Sequence, residues 1–273
     1  MVKKLFKHEF LSYMRALLPM HLIMLGIAAL TRFVYFFESD TTYFEIVGTS
    51  SVVAFVISCV VCLVLSYLTI ITRFYKNMFT FEGYLSFTLP VTNFQHIMVK
   101  ALTGTAVIVI DFVAIILAIC VATAGELTVE LFKAGAWILK QATDGVGWQL
   151  WLYIPEFIVV MLVSVVGSIL MFYSCIAIGQ LSNKNRVLLA IGVYFAYYFV
   201  TQVLSTILIV AITGLSYTNW FNELFVTIGD FVTNHPYTSC HLLFLILFVF
   251  AAVFGLIFYF ITHRIMQKKL NLE

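Results

Sequence analysis

The sequence predicts an all-α integral membrane protein with six transmembrane helices, an N-terminal amphipathic interface helix and outer re-entrant helices before the last span. Three observations carry this fold class. Of the 273 residues 63% are hydrophobic and only 10% charged, and the mean hydropathy is +1.06, far outside the range of water-soluble domains. The apolar residues form continuous runs, not the alternating pattern of an outer-membrane barrel. At about 20 residues per span, these runs leave room for six helices joined by short connections. No connection is long enough to hold a separate soluble domain, so residues 1–273 read as one transmembrane domain.

The elements follow in order. Residues 1–16 form the interface helix: Val2, Phe6, Phe10, Tyr13, Met14 and Leu17 share one arc of a helical wheel, and Lys4, Lys7, His8, Ser12 and Arg15 share the other. A basic face suits anionic headgroups of the membrane lipids. A signal peptide is the competing reading of a basic start before an apolar run. The basic region is too long and aromatic for one, and Ala28-Ala29 makes a poor cleavage site. The first span covers about Leu17 to Phe37, with Arg32 in its outer part and Glu38 and Asp40 beyond it as partners. The second covers about Gly48 to Thr72.

The connection that follows, residues 73–93, is crowded with aromatics. Arg73 and Lys76 mark the membrane exit, and Phe74, Tyr75, Phe79, Phe81, Tyr84 and Phe87 crowd the stretch that closes at Pro90. Large rings in a short polar connection need a surface to bury against, so the stretch reads as a docking element for a cytoplasmic partner. A segment lying in the lipid headgroups is the alternative.

Asn93 is expected to cap the third span, about Phe94 to Thr123. Asp111 sits near its midpoint, on one face with Ala114, Ala118 and Ala122. Small residues every four positions allow close helix approach, so Asp111 is expected to face another helix or a wet cavity. An intramembrane acid is a functional suspect; a structural hydrogen-bonding group is the other reading.

Residues 125–150 read as lying outside, with Glu126 to Ile138 as a short helix on the outer face, followed by Trp148, Trp151 and Tyr153 at the outer interface. Pro155 and Glu156 open the fourth span, which ends near Gln180. Lys184 and Arg186 make an inner turn. The fifth span is about Val187 to Thr213, with Gly192 and Ala196 as a close-packing pair. In residues 214–240, Trp220, Phe221, Leu224, Phe225, Ile228 and Phe231 recur at helical spacing, which suggests a helix re-entering the outer leaflet; a peripheral helix is the alternative. The last span, about His241 to Thr262, precedes a basic tail that includes Arg264, Lys268 and Lys269.

On this layout twelve Lys and Arg side chains lie at the inner face, and only Arg32, Lys133 and Lys140 lie outside. That bias, and an even number of spans, put both termini in the cytoplasm of a multi-pass protein. Cys59 and Cys62 have redox spacing, yet on an apolar helix they read as two small core side chains without a His or acid beside them. His235 and His241 lie near each other outside, a weak basis for a metal site. There is no phosphate-cradling loop, no His-Glu-x-x-His and no Gly-x-Ser-x-Gly. The basic residues track the membrane face, which argues against nucleic acid as a partner.

The stretch from Arg73 to Pro90 resembles the cytoplasmic coupling loop of small type-2 ATP-binding-cassette (ABC) transporter permeases of Gram-positive bacteria. Arg73-Phe74-Tyr75-Lys76-Asn77, Glu82-Gly83-Tyr84-Leu85 and Phe87-Thr88-Leu89-Pro90 carry the likeness. The start Lys7-His8-Glu9-Phe10 and the end Lys268-Lys269-Leu270-Asn271-Leu272-Glu273 resemble that family too. The resemblance implies a non-enzymatic permease subunit in the bacterial plasma membrane, paired with a second permease subunit and bound to a separate ATP-hydrolysing subunit. That partner would hold ATP and magnesium, leaving this chain without a cofactor. The coupling residues would be Arg73, Phe74, Tyr75, Phe79, Phe81, Glu82, Gly83, Tyr84, Leu85, Phe87 and Pro90, with Gly83 permitting a tight bend. An exported amphipathic, lipid-like or antimicrobial-peptide substrate is the expectation. Two other readings stay open: a secondary transporter using Asp111 as a proton or cation site, and a noncatalytic membrane protein that sequesters a peptide.

Overall fold

The computed structural model describes residues 2–37, 42–88, 90–182 and 184–268. Among them it contains helices and connecting turns and no strand, and six of the helices are long and apolar enough to cross a membrane. The all-α membrane fold class is therefore established. The helices fall into two compact units, one running to Asp144 and the other starting at Gly145.

In the first unit α1 (Val2–Phe36), α2 (Thr42–Phe79) and α4 (Asn93–Ala122) pack on one another, and the short α3 (Phe81–Thr88) packs on α2. The interface helix expected over residues 1–16 is not a separate element. From Val2 onward it runs into the first span as one helix, with Pro19 inside. Its buried residues, Glu9, Tyr13, Leu17, His21, Met24, Ala28 and Thr31, recur every three or four positions. That spacing is the helix repeat seen from its neighbours. Burial against α2 and α4 therefore governs this segment, and the arc that included the exposed Val2 is displaced toward Glu9. Met24 and Ala28 of α1 meet Phe55 and Cys62 of α2 and Ala118 of α4, with Ala114 and Ala122 at the edge of the cluster. The alanine face thus does what its spacing predicts. The Thr31 hydroxyl donates to the carbonyls of Ile27 (3.0 Å) and Ser51 (3.2 Å), tying α1 to α2.

The cap of α4 is Thr92, not Asn93. Its hydroxyl accepts from the Gln95 N–H while the Gln95 side chain accepts from the Thr92 N–H, a reciprocal capping box. Arg32 reaches toward Gly125, where a Cβ would lie 2.8 Å from its guanidinium and φ is +112°. Its expected partners Glu38 and Asp40 lie outside the described residues, as do the tail residues from Lys269 onward. The amphipathic α5 (Glu126–Val146) follows, longer than the helix expected over Glu126 to Ile138.

In the second unit α6 (Leu150–Gly179) packs along α9 (Pro236–Lys268) and against α7 (Arg186–Leu215); α8 (Asn219–Asn234) rests on α9. Pro155 lies inside α6, since a 3₁₀ turn at Gly147–Gln149 starts the helix earlier. Gly167 and Gly255 bring the backbones of α6 and α9 together, a Cβ on either lying 3.6–3.9 Å from the other helix. Gly179 faces Ala190 of α7, where an added Cβ would lie 2.7 Å from the alanine methyl. The expected pair Gly192 and Ala196 does neither of these things: both are exposed, and nothing lies within 4 Å of a Cβ on Gly192. The small residues that matter sit at the α6 crossings instead. The 214–240 segment resolves into a turn, α8 and the first turns of α9, and the basic stretch through Lys268 continues α9.

Candidate functional site

The aromatic connection is not an open loop. Helix α2 continues through Phe79, so Arg73, Tyr75, Lys76 and Asn77 are helical, and one face of this extension is internal. Phe74, Met78 and Phe79 are fully buried, the two rings meeting edge to face at 5.8 Å. Phe74 and Phe79 were expected to seek a partner protein; they find their burial within the unit, each contributing about 1.5–3 kcal/mol of transfer free energy. Tyr75 is half-buried. The chain then turns at Thr80, whose carbonyl accepts from the Gly83 N–H at 2.7 Å. Gly83 is buried against α2, while Phe81 (77% exposed), Glu82 and Tyr84 (54%) face outward. The side chains of Leu85 and Phe87, and all of Leu89, lie outside what the structure describes; Pro90 is exposed. The outward face of the expected docking element is thus carried by four described side chains on an eight-residue helix, Phe81, Glu82, Tyr84 and Thr88.

Its root is fastened by a buried polar network that the sequence pattern hid. The Lys100 ammonium of α4 forms an ion pair with the Glu9 carboxylate of α1, and the Asn77 amide of α2 donates to the same Glu9 Oε1 at 3.2 Å. Three residues along α1 from Glu9, Ser12 accepts from the Arg73 guanidinium, which also lies 4.8 Å from the centre of the Tyr13 ring. Lys100 is 2% exposed and Tyr13 0%. A charge pair this dry needs its remaining lone pairs satisfied; Asn77 fills a second one on Oε1, while Glu9 Oε2 is buried without a hydrogen bond among the described residues. The three helices are therefore pinned together directly behind α3.

Deeper in the same unit Asp111 is fully buried, and the His21 imidazole lies 2.7 Å from its Oδ1. The intramembrane acid thus has a basic partner, ninety positions away in the chain. The fully buried Ser66 hydroxyl of α2 lies near the same carboxylate, and neither it nor Asp111 Oδ2 has a hydrogen-bond partner among the described residues. Cys62 completes the group: one ligating atom each from His21, Cys62 and Asp111 fall within 4.8 Å of one another. The expectation that the Cys59–Cys62 pair has no His or acid nearby is corrected for Cys62. The two outer histidines of the second unit have separate contacts. His241 binds Glu156 at 2.8 Å, and His235 packs its ring on Phe231.

Sequence reasoning found Asp111, the alanine face and the aromatic stretch. It missed Glu9, Ser12, His21, Asn77 and Lys100, which lie far apart in the chain. The available signal was the four-residue recurrence Glu9, Tyr13, Leu17, His21, which places a carboxylate and an imidazole on the inner stripe of α1. The chain matches no family model, no curated protein and no solved structure among those compared with it.

Proposed function

We propose that the chain is the membrane-spanning permease subunit of an ABC exporter, driven by a separate ATPase subunit that grips α3. The observation that supports this best is the division of labour around α3. A short helix between two spans turns Phe81, Glu82 and Tyr84 outward, while the residues at its root are locked into α1, α2 and α4. Rings exposed on a rigid mount are suited to a partner's groove, and a push on the mount is shared at once by three spans. In this reading the Lys and Arg distribution places α3 and both termini on the cytoplasmic side, a second permease subunit completes the pathway, and ATP and magnesium belong to the ATPase. An amphipathic, lipid-like or peptide substrate fits a chain whose α5 and α8 are amphipathic helices.

The reading requires a soluble ATPase with a Walker motif encoded beside this chain; the test is co-expression with that subunit, followed by copurification in mild detergent, and a neighbourhood that encodes none counts against it. Phe81→Asp and Tyr84→Ala are expected to abolish capture and stimulated ATP hydrolysis without loss of the inserted chain. An undiminished complex with unchanged hydrolysis in the double variant refutes the reading.

One observation favours the second reading, a secondary transporter: the buried His21–Asp111 pair is a proton-holding arrangement inside a span. Its signature is gradient-driven uptake by the chain alone in proteoliposomes, lost in Asp111→Asn.

A further inference from the structure

We propose that His21, Cys62 and Asp111 form a site for one zinc-class transition-metal cation that clamps α1, α2 and α4 together. Each ligand comes from a different helix, and their ligating atoms fall within 4.8 Å of one another. A tetrahedral sphere with metal–ligand bonds of 2.0–2.3 Å needs neighbouring ligand atoms roughly 3.3–3.8 Å apart. The cluster is thus close to that size. The His21–Asp111 contact of 2.7 Å has to open by under about 1 Å and the widest pair to close by a similar amount. Side-chain rotation covers both.

The donor set selects the metal. A thiolate, an imidazole and a carboxylate together suit zinc, cobalt or cadmium and disfavour magnesium and calcium, which take oxygen donors alone. The fully buried Ser66 hydroxyl, near Asp111 and without a hydrogen bond among the described residues, is available as an outer partner to orient the carboxylate.

Charge supports occupancy. Asp111 is fully buried and Cys62 is 2% exposed, in a wall of Met24, Ala28, Phe55 and Ala118. Without a cation, an ionised carboxylate here depends on His21 alone for its counter-charge, and isolated charges in such surroundings are costly. A divalent ion bound by the Asp111 carboxylate, the Cys62 thiolate and neutral His21 leaves the site with no net charge. Loading releases the thiol proton, and the His21 proton where the ring is protonated. The metal-free alternative is a packed trio held by the His21–Asp111 bond only. The proposal stands independently of the transport reading, because it concerns only what holds three helices.

The experiment titrates Co²⁺ into the full chain, purified reduced in detergent and metal-free buffer. Expected are one cobalt per chain, a near-ultraviolet thiolate-to-cobalt charge-transfer band and visible bands of a tetrahedral ion, all displaced by Zn²⁺. Cys62→Ser is expected to remove the charge-transfer band, and His21→Gln and Asp111→Asn to weaken binding at least tenfold. Cys59→Ser and Cys175→Ser are expected to leave it unchanged. Cys62→Ala serves where the serine variant does not fold, with gel filtration and helical circular dichroism as the folding check. A wild-type chain that takes up no stoichiometric cobalt overturns the proposal. So does a charge-transfer band that survives in the folded Cys62 variants.

Discussion

Lys100→Ala removes the only cation in contact with Glu9 among the described residues and leaves that carboxylate, its side chain 9% exposed, with the Asn77 amide alone. Breaking one side of a buried pair typically costs about 3–5 kcal/mol, because the remaining charge keeps its desolvation penalty. Glu9→Ala strands the 2%-exposed ammonium in the same way and belongs in the same range. The double replacement Glu9→Leu with Lys100→Met removes both charges and retains most of the volume. It is expected to fall within about 1 kcal/mol of the wild type, or above it, since apolar substitutes for buried pairs are often neutral or stabilising. The cost of the two single changes should therefore far exceed that of the double, with a coupling well beyond the 0.5 kcal/mol scatter of independent sites. The assay is SDS-driven unfolding in mixed micelles, followed by circular dichroism for the wild type, both alanine variants, the single apolar variants and the double. Additive single effects below about 1 kcal/mol, the range of solvated surface pairs, refute the reasoning, because they mean that water reaches the pair.

Other expectations follow from the same packing. Phe74→Ala and Phe79→Ala should each destabilise the chain by about 3–5 kcal/mol, whereas Phe81→Ala and Tyr84→Ala should stay within about 0.5 kcal/mol, measured by the same unfolding series; equal losses at all four positions contradict the burial described. Gly179→Val should cost about 1–3 kcal/mol by overpacking the α6–α7 corner against Ala190. Gly192→Ala should be near neutral, as nothing stands within 4 Å of the new methyl. Thr92→Ala should cost about 1 kcal/mol through loss of the α4 capping box, and Thr92→Ser should restore most of it.

Much of the architecture was legible before any coordinates. Continuous apolar runs give the spans, because a backbone in hydrocarbon must satisfy its hydrogen bonds locally and helices are the result. The alanine ladder after Asp111 was readable because helix approach depends on side-chain size at four-residue spacing. What could not be read was partnership. Glu9 with Lys100 and His21 with Asp111 are joined only once α1 lies against α4, and no local pattern encodes that pairing. The aromatic stretch misled for a related reason: rings at Phe74 and Phe79 look solvent-stranded in one dimension, yet the helical extension of α2 turns them inward. Gly192 and Ala196 show the reverse error, since correct spacing does not reveal which face meets a neighbour. The early start of α6 leaves Pro155 at its sixth position, past the first turn, where proline removes one i→i−4 hydrogen bond; reading proline as a helix start therefore placed the beginning of this span too late.

The unbroken course of α2 has a mechanical consequence. Thirty-eight residues at about 1.5 Å each give a rod of roughly 57 Å, nearly twice the ~30 Å hydrocarbon thickness. It has no proline to absorb bending. A tilt of only about 5° at the α3 end would sweep the far end of such a rod sideways by roughly 5 Å. A small shove at one membrane surface is therefore magnified at the other as by a crowbar, with the pins at Glu9 and Arg73 close to its handle.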